Sequence, residues 1–179
     1  MTAEAARPSA AVLTVSDAGS RGERVDTAGP AAVEILGGAG FEVVATAIVP
    51  DEPEAIASQL RRWVDEDDCA VVITSGGTGL SPRDRTPEAT ATVLDYRVDG
   101  IQEAIRAASV PTVPTAMLSR ALAGVRRSSL IVNLSGSERA VREQLAVILP
   151  VLGHAVTLLR GDTSHGPTPP GATPSTTTH

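Results

Sequence analysis

The residues with the clearest capacity for chemistry lie in one run, SGGTGLSPRDRTPEAT, which spans residues 75–90. Its three glycines, Gly76, Gly77 and Gly79, allow the backbone to approach a ligand closely. Consecutive amides in such a loop point at the same space and form a concave binding site for an anion. This part of the run therefore predicts a phosphate-binding loop.

The second half of the same run adds a helix start and a carboxylate. Thr86 stands before Pro87, which predicts that its hydroxyl caps a helix whose N-terminus attracts phosphate. Asp84 lies between this helix start and the glycines, where it would repel phosphate unless a cation lay between the two. Mg²⁺ is the cation that most often fills that role.

Other strand-end segments carry polar residues that could reach the same place. Ser16 and Asp17 follow a β-branched run, Asp51 follows Val49-Pro50, and Gly136-Ser137 follows the run SLIVNLS. Each has an ordinary structural explanation as a turn or helix cap, and Asp51 and Ser137 in particular resemble helix N-caps. Their common position after strands is what favours a shared site.

Composition excludes several kinds of chemistry. All 15 basic residues are arginine, so no lysine is available as a P-loop residue, Schiff base or general base. The net charge of -6 and the aromatic content of 2% argue against nucleic-acid binding. None of the three histidines has an obvious acid partner, which argues against a Ser-His-Asp hydrolase.

The elements that must position these residues alternate along the chain. Short apolar runs predict strands at 10–16, 41–49, 70–75 and 129–135, and stretches with helical spacing lie between them and after the last. Asp26 or Thr27 can cap the helix that follows the first strand. The alternation predicts an α/β fold with a mostly parallel sheet and helices on both faces. In such sheets ligands bind beyond the carboxyl ends of the strands.

The chain predicts one folded domain, at about residues 10–160. Residues 161–179 contain four prolines and six threonines and almost no apolar side chain, which is typical of a disordered tail. No stretch has the roughly 18 consecutive apolar residues of a membrane helix. A single cysteine, Cys69, and the absence of a recognisable signal peptide favour a cytoplasmic protein.

Together, these segments resemble the MogA/MoaB family of molybdopterin adenylyltransferases, which is related to the G domains of plant Cnx proteins and gephyrin. The resemblance covers about residues 10–160 and rests on motifs in the same order: VLTVSD, DTAGP, VPDE, TSGGTGLSPRDRTPEAT, AMLSRALAG and LIVNLSGSERAV. It implies a compact three-layer α/β/α fold, a homotrimer, and transfer of AMP from Mg²⁺-ATP to the terminal phosphate of molybdopterin. The adenylated product would pass to a MoeA-like molybdenum insertase.

The resemblance also assigns roles to residues. Asp84 and Asp51 match the family's catalytic carboxylates and would hold the metal. The residues that match its molybdopterin- and nucleotide-binding positions are Ser16, Asp17, Asp26, Ser75, Gly76, Gly77, Thr78, Gly79, Thr86, Ser119, Gly136 and Ser137.

Four residues depart from the family pattern: Ser135 replaces a proline, Arg85 a small or β-branched residue, Asp99 a proline and Ala121 a glycine. Ser135 bears on the rigidity of its loop, because proline would fix φ near -65°. The alternative function is a non-catalytic molybdopterin-binding trimer or scaffold of the MoaB type. Retention of Asp84 and Asp51 favours the enzyme. A dinucleotide-dependent oxidoreductase is disfavoured, since the first strand is not followed by GxGxxG.

Overall fold

The computed structural model describes residues 6–161, which form alternating strands and helices. The strands are β1 (Ser9–Val15), β2 (Glu42–Val49), β3 (Val71–Ser75), β4 (Tyr96–Arg97), β5 (Ala123–Arg126) and β6 (Ser129–Leu134). The helices are α1 (Asp17–Ser20), α2 (Ala28–Gly38), α3 (Pro53–Asp65), α4 (Thr86–Ala91), α5 (Asp99–Ser109) and α6 (Glu138–Leu159), with a 3₁₀ turn at Pro114–Leu118.

The strands form one six-stranded sheet in the order β2-β1-β3-β6-β5-β4. β2, β1, β3 and β6 run parallel to one another, whereas β5 pairs antiparallel with β6 and with β4. The sequence predicted the four parallel strands within one or two residues and missed the two antiparallel ones. β4 has two residues and β5 contains a glycine, so neither has the length or the apolar pattern that indicates a strand.

Helices cover both faces of the sheet, which confirms the three-layer α/β/α fold. The faces alternate residue by residue along β1: Ala10 and Val12 pack with α2, α5 and α6, while Ala11 and Leu13 pack with α3 and α4. This alternation follows from the two-residue period of a strand. Because both faces are covered, the parallel strands read as continuous apolar runs.

Helix α6 has the length and hydropathy of a membrane span, and one face of it belongs to the core. Leu145, Ile148 and Leu152 are at most 1% exposed and pack against the sheet, whereas Val151 and Leu158 are about half exposed. Its first turns carry charged residues in ion pairs, among them Arg142 with Glu138. Burial in the core therefore accounts for part of the hydropathy of this helix.

Of the caps predicted for helices α4 and α6, the first is wrong and the second is confirmed. Thr86 is the first residue of α4 and not its cap; the cap position is Arg85, and no side chain caps this end. Because α4 has only six residues, its dipole is small, and its N-terminus attracts phosphate less strongly than predicted. Ser137, in contrast, caps α6 as predicted, and its Oγ accepts from the amide of Ala140 at 3.2 Å.

The domain boundary at 10–160 stays a prediction, and nearly all of the predicted tail, residues 162–179, lies outside the described residues. Cys69 is fully buried, and burial raises the pKa of its thiol to about 11. A buried thiol with this pKa packs as an apolar group.

Candidate functional site

A cleft of about 510 Å³ opens where the parallel strands end, and we call it the strand-end cleft. The predicted site residues that line it come from loops after β1, β2, β3 and β6: Ser16, Asp26, Asp51, Ser75, Gly76, Gly77, Asp84, Gly136 and Ser137. The parallel sheet brings them together because the carboxyl ends of parallel strands lie on one edge. The predicted residues Asp17, Thr78, Gly79, Thr86 and Ser119 do not line this cleft.

The loop after β3 needs glycine at two consecutive positions. Gly76 has φ +101° and Gly77 has φ +62°, both in the left-handed region. A Cβ on Gly76 would collide with the backbone carbonyl of Val15, and one on Gly77 would lie 2.9 Å from Oδ1 of Asp51 and against Thr86 Oγ1. The absence of side chains therefore lets the loop pass close to both β1 and the Asp51 carboxylate.

Asp51 is fixed by a reciprocal pair of hydrogen bonds with Asp17. The amide of Asp17 donates to Asp51 Oδ2 at 2.9 Å, and the amide of Asp51 donates to Asp17 Oδ1 at 3.0 Å. Arg83 then holds Asp17 from outside, with Nε 3.0 Å from Oδ2 and Nη2 2.9 Å from Oδ1. Nη2 of Arg83 also lies 2.9 Å from Glu52. Asp17 therefore orients Asp51 at the edge of the cleft.

The two carboxylates of this pair are in opposite electrostatic situations. The hydrogen bonds from Arg83 lower the pKa of Asp17, and the amide of Asp51 lowers it further. Burial is the main cause that raises the pKa of Asp51; the hydrogen bond from the Asp17 amide lowers it, the charges of Asp17 and Asp84 raise it, and Arg83 lowers it least. A cation beside Asp51 would favour its ionised form.

Asp84 is held in a tight turn of its own loop. Its Oδ2 accepts from the amide of Ser81 at 3.0 Å, and its own amide donates to the Ser81 carbonyl at 2.9 Å. Within residues 6–161, Oδ1 of Asp84 accepts no hydrogen bond, although the side chain lines the cleft. Asp84 is thus oriented through one oxygen, and the other is available to a ligand.

Asp26 uses both of its oxygens within the protein. Oδ2 accepts from the hydroxyl of Thr14 at 2.6 Å, and Oδ1 accepts from the amides of Ala28 and Gly29, each at 3.0 Å. These bonds begin helix α2, as the sequence predicted when it named Asp26 as one of two possible caps. The carboxylate shapes the wall of the cleft and leaves little capacity for a ligand.

Thr86 contacts the glycine loop from outside the cleft. Its amide donates to the Gly77 carbonyl at 3.1 Å, and its hydroxyl is fully buried against Gly77 without a hydrogen-bond partner among the described residues. A buried hydroxyl without a hydrogen-bond partner is unusual in a protein interior. Thr86 contacts the loop that would bind the ligand and does not itself face the cleft.

A second, smaller cavity of about 380 Å³ adjoins the strand-end cleft, and we call it the side cavity. Thr78, Gly79 and Ser119, which the sequence analysis placed with the other site residues, line it. Ser135 and Ser137 line both spaces. The predicted residues therefore divide into two neighbouring groups that share one wall.

Ser135 is held in place even though it lacks the ring of the expected proline. Its amide donates to Gln144 Oε1 at 2.9 Å, and Gln144 Nε2 donates to its hydroxyl at 2.9 Å. Gln144 is itself 7% exposed, on helix α6. The other three departures are peripheral to the cleft lining: Arg85 is exposed, Asp99 pairs with Arg97, and Ala121 is buried.

Several residues that line the cleft were not predicted as site residues, and Arg24 and Val25 are among them. Among the described residues, Arg24 is the one cationic side chain in a lining that also contains Asp26, Asp51 and Asp84. The ion pair of this segment joins Arg21 with Glu23, and within residues 6–161 Arg24 forms none. Its position between a short helix and the cap of α2 could have indicated it, but an exposed arginine in a loop carries no periodic signal.

Asp51 and Asp84 fit a Mg²⁺ site that a phosphate ligand would complete. Among residues 6–161, no group of three or more His, Cys, Asp or Glu could hold a metal alone. Mg²⁺ usually retains several waters and binds one or two carboxylates plus substrate phosphates, which is the donor set available here. Asp84 raises the pKa of Asp51 through charge repulsion, and a divalent cation beside both would relieve that repulsion.

The fold and the cleft define an α/β protein with an anion-binding loop and two carboxylates at a strand-end site. A family described as a probable molybdopterin binding domain matches residues 11–154. The chain belongs to this family, which confirms the resemblance to MogA/MoaB proteins.

Individual relatives agree with this membership. The chain is 40% identical over 153 residues to a molybdopterin adenylyltransferase of Helicobacter pylori, covering 84% of this chain and 87% of that protein. It is 41% identical over 155 residues to the molybdenum cofactor synthesis protein cinnamon of Drosophila melanogaster, covering 86% of this chain but only 26% of the much longer relative. The crystal structure of the molybdopterin biosynthesis enzyme MoaB from Thermus thermophilus is 50% identical, with a TM-score of 0.81 and coverage of 86% of this chain and 96% of that one.

Proposed function

We propose that this chain adenylates molybdopterin: it transfers AMP from ATP to the terminal phosphate of molybdopterin and releases pyrophosphate. The observation that carries the proposal is the meeting of Asp51 and Asp84 beside Gly76 and Gly77 in one cleft. Two carboxylates beside an anion-binding loop suit a reaction between two phosphate-bearing substrates and a divalent cation. The Helicobacter pylori relative of similar length is named for this activity.

The reaction makes few demands on acid–base groups. An oxygen of the molybdopterin phosphate attacks the α-phosphorus of ATP, one P–O bond forms, and the bond to the β-phosphate oxygen breaks. The attacking oxygen is already ionised near neutral pH, so no lysine or histidine base is needed. Catalysis then depends on alignment of the two phosphates and on stabilisation of charge, which fixed amides and carboxylates at the cleft can supply.

Each group of cleft residues has a part in this proposal. The glycine loop would bind phosphate through amides other than that of Gly76, which donates to the Leu134 carbonyl at 3.1 Å. Ser16 and the Gly136-Ser137 turn line the same cleft. Asp51, oriented by Asp17, and Asp84 would hold Mg²⁺, which neutralises phosphate charge when bound. The side cavity, lined by Thr78, Gly79 and Ser119, offers a neighbouring place for the second bulky end of a two-part substrate.

The remaining expectations belong to the same proposal. A homotrimer, action in the cytoplasm and delivery of the product to a MoeA-like insertase follow from the family resemblance. Sedimentation at micromolar concentration tests the trimer: a mass near 18 kDa would reject it.

The experiment that tests the function is incubation of the protein with molybdopterin, ATP and Mg²⁺, followed by chromatography. Adenylated molybdopterin and pyrophosphate are expected in equal amounts. A folded protein that binds molybdopterin and forms no adduct would instead support the non-catalytic binding function.

A further inference from the structure

Arg120 lies outside the strand-end cleft and yet contacts both ends of the loop that carries Asp84. Its Nε donates to the carbonyl of Gly79 at 2.7 Å, and its Nη2 donates to the carbonyl of Asp84 at 2.6 Å. Nη1 donates to Glu88 Oε1 on helix α4. Its own amide donates to the Thr78 carbonyl at 2.9 Å. One side chain thus joins the two ends of the loop at 79–84 to each other and to a helix.

Apart from Arg120, Arg83 attaches this loop to the rest of the domain, through its bonds to Asp17 and Glu52. Leu80 is 63% exposed, and Ser81, Pro82 and Arg83 are exposed as well. Within the loop, Ser81 and Asp84 bond to each other and the Arg83 amide donates to Ser81 Oγ, which defines a turn but does not attach it near Asp84 to the sheet. Gly79, at the start of the loop, has no Cβ and therefore restricts the backbone less than another residue would. The position of the Asp84 carboxylate therefore depends on contacts from outside the loop.

Arginine suits this task because its planar guanidinium presents several donors in a fixed fork. Two carbonyls and one carboxylate occupy three of its nitrogens at once. A lysine ammonium is a single point with rotating donors, so it could not hold the same three acceptors in one plane. The geometry points to a role that is specific to arginine.

We infer that Arg120 is a positioning residue for Asp84. The activity measurement that tests this inference rests on the proposed function. Arg120 does not itself line the cleft; it fixes the carbonyl of Asp84 and, through Gly79, the start of the same loop. Loss of the guanidinium would let the carboxylate drift relative to the glycine amides. A displacement of about 1 Å of a group that aligns the reacting atoms can lower the rate of reaction about 100-fold.

The competing explanation is that Arg120 only stabilises the fold, and Arg126 provides a matched control. Arg126 also binds a carboxylate, Asp65, and also donates to a backbone carbonyl, that of Val93 at 3.0 Å. It lies away from the residues that line the cleft. Removal of either arginine should lower the melting temperature, but only removal of Arg120 should act on Asp84.

The test is a double-mutant cycle on the AMP-transfer rate. Arg120→Ala should lower the single-turnover rate about 10- to 100-fold with molybdopterin affinity changed less than about threefold. In the Asp84→Asn background the same change should cost less than about threefold, because the group it positions is already lost. Arg126→Ala should change the rate less than about twofold in either background. Arg120→Lys is the milder variant to use if Arg120→Ala does not fold. It should recover little of the lost rate.

Hydrogen exchange of the free protein gives a readout that does not need activity. The amides of Ser81, Arg83 and Asp84, which donate hydrogen bonds within the loop, should exchange faster in Arg120→Ala than in the wild type, and at the wild-type rate in Arg126→Ala. Equal loss of rate in the wild-type and Asp84→Asn backgrounds, or unchanged exchange of these amides, would overturn the inference. A wild-type chain without AMP transfer would reject the proposed function and leave exchange to decide the positioning role.

Discussion

Asp17 and Asp51 donate their backbone amides to each other's carboxylates, at 2.9 and 3.0 Å, so the ends of strands β1 and β2 are joined by two symmetric hydrogen bonds. Only Asp51 of the pair lines the strand-end cleft. Asp17 turns towards Arg83, which follows the glycine loop after β3. Three strand ends are therefore connected through one carboxylate that does not itself face the cleft.

This connection predicts a shift in pH dependence for Arg83→Gln. Arg83 lowers the pKa of Asp51, so its removal should raise that pKa further above the ordinary value. A carboxylate must be ionised to act, so activity is lost as pH falls through its pKa. The acidic limb of the pH–rate profile should therefore move to higher pH in Arg83→Gln. Arg61→Gln, which removes an ion pair with Glu54 on helix α3, is the control and should leave the limb unchanged.

Asp51→Asn should separate stability from activity. Because burial and like charges raise the pKa of Asp51 in the folded state, its ionised form destabilises the fold above that pKa, and the fold gains stability as pH falls through it. An asparagine retains an acceptor for the Asp17 amide without the charge. The melting temperature at pH 7 should thus be equal to or above that of the wild type, while the AMP-transfer rate falls. A marked drop in melting temperature would show that the charge stabilises the fold.

Gly76→Ala should destabilise the protein, since Gly76 has φ +101° and a Cβ would meet the Val15 carbonyl. A left-handed non-glycine residue costs about 1–3 kcal/mol before any clash is counted. Gly153→Ala is the control: this glycine lies in the exposed part of helix α6 with nothing near its Cβ position. It should stabilise by about 0.5–1 kcal/mol. Urea unfolding of both variants measures the difference, and similar values for the two would contradict the description of the loop.

Arg24→Gln should weaken nucleotide binding. Arg24 is the cationic side chain in a lining that also holds Asp26, Asp51 and Asp84, so it is placed to offset the charge of a phosphate ligand. A charge-assisted hydrogen bond contributes about 1.5–3 kcal/mol, so the KM for ATP should rise about tenfold or more with kcat little changed. Arg21→Gln, at the C-terminal end of helix α1 and paired with Glu23, should leave KM as it is. Equal KM values for the wild type and Arg24→Gln would place the phosphates elsewhere.

Much of the architecture was predictable because it follows from local patterns. The apolar runs of β1, β2, β3 and β6 and the helical spacing of α3 each indicate their element directly, and their alternation indicates the parallel sheet. The antiparallel strands β4 and β5 were not predictable in this way. β5 is positioned by its pairing with β6, and β4 by its pairing with β5, not by any sequence pattern of their own.

The site residues likewise divide into those that local sequence patterns predict and those that they do not. Asp51 and the glycines at 76 and 77 could be predicted to reach the cleft because they follow strands, and Asp84 because it belongs to the same motif as the glycines. The separation of Ser119 and Thr78 into the side cavity could not, nor could the positions of Arg24 and Arg120, because each depends on how distant loops pack. Thr86 shows the limit of a local rule: Thr-Pro indicates a cap, but the structure begins the helix at the threonine itself.

The most direct test of the proposed function is single-turnover transfer of AMP by the wild type and Asp84→Asn, measured beside a thermal melt. The wild type should form adenylated molybdopterin and pyrophosphate in equal amounts. Asp84→Asn should melt at nearly the same temperature and transfer AMP about 10²–10³-fold more slowly, the scale of removing one preorganised electrostatic group. Molybdopterin binding should survive in the variant, since the glycine-loop amides are untouched. Wild-type turnover by Asp84→Asn, or no adduct from either protein, would contradict the account.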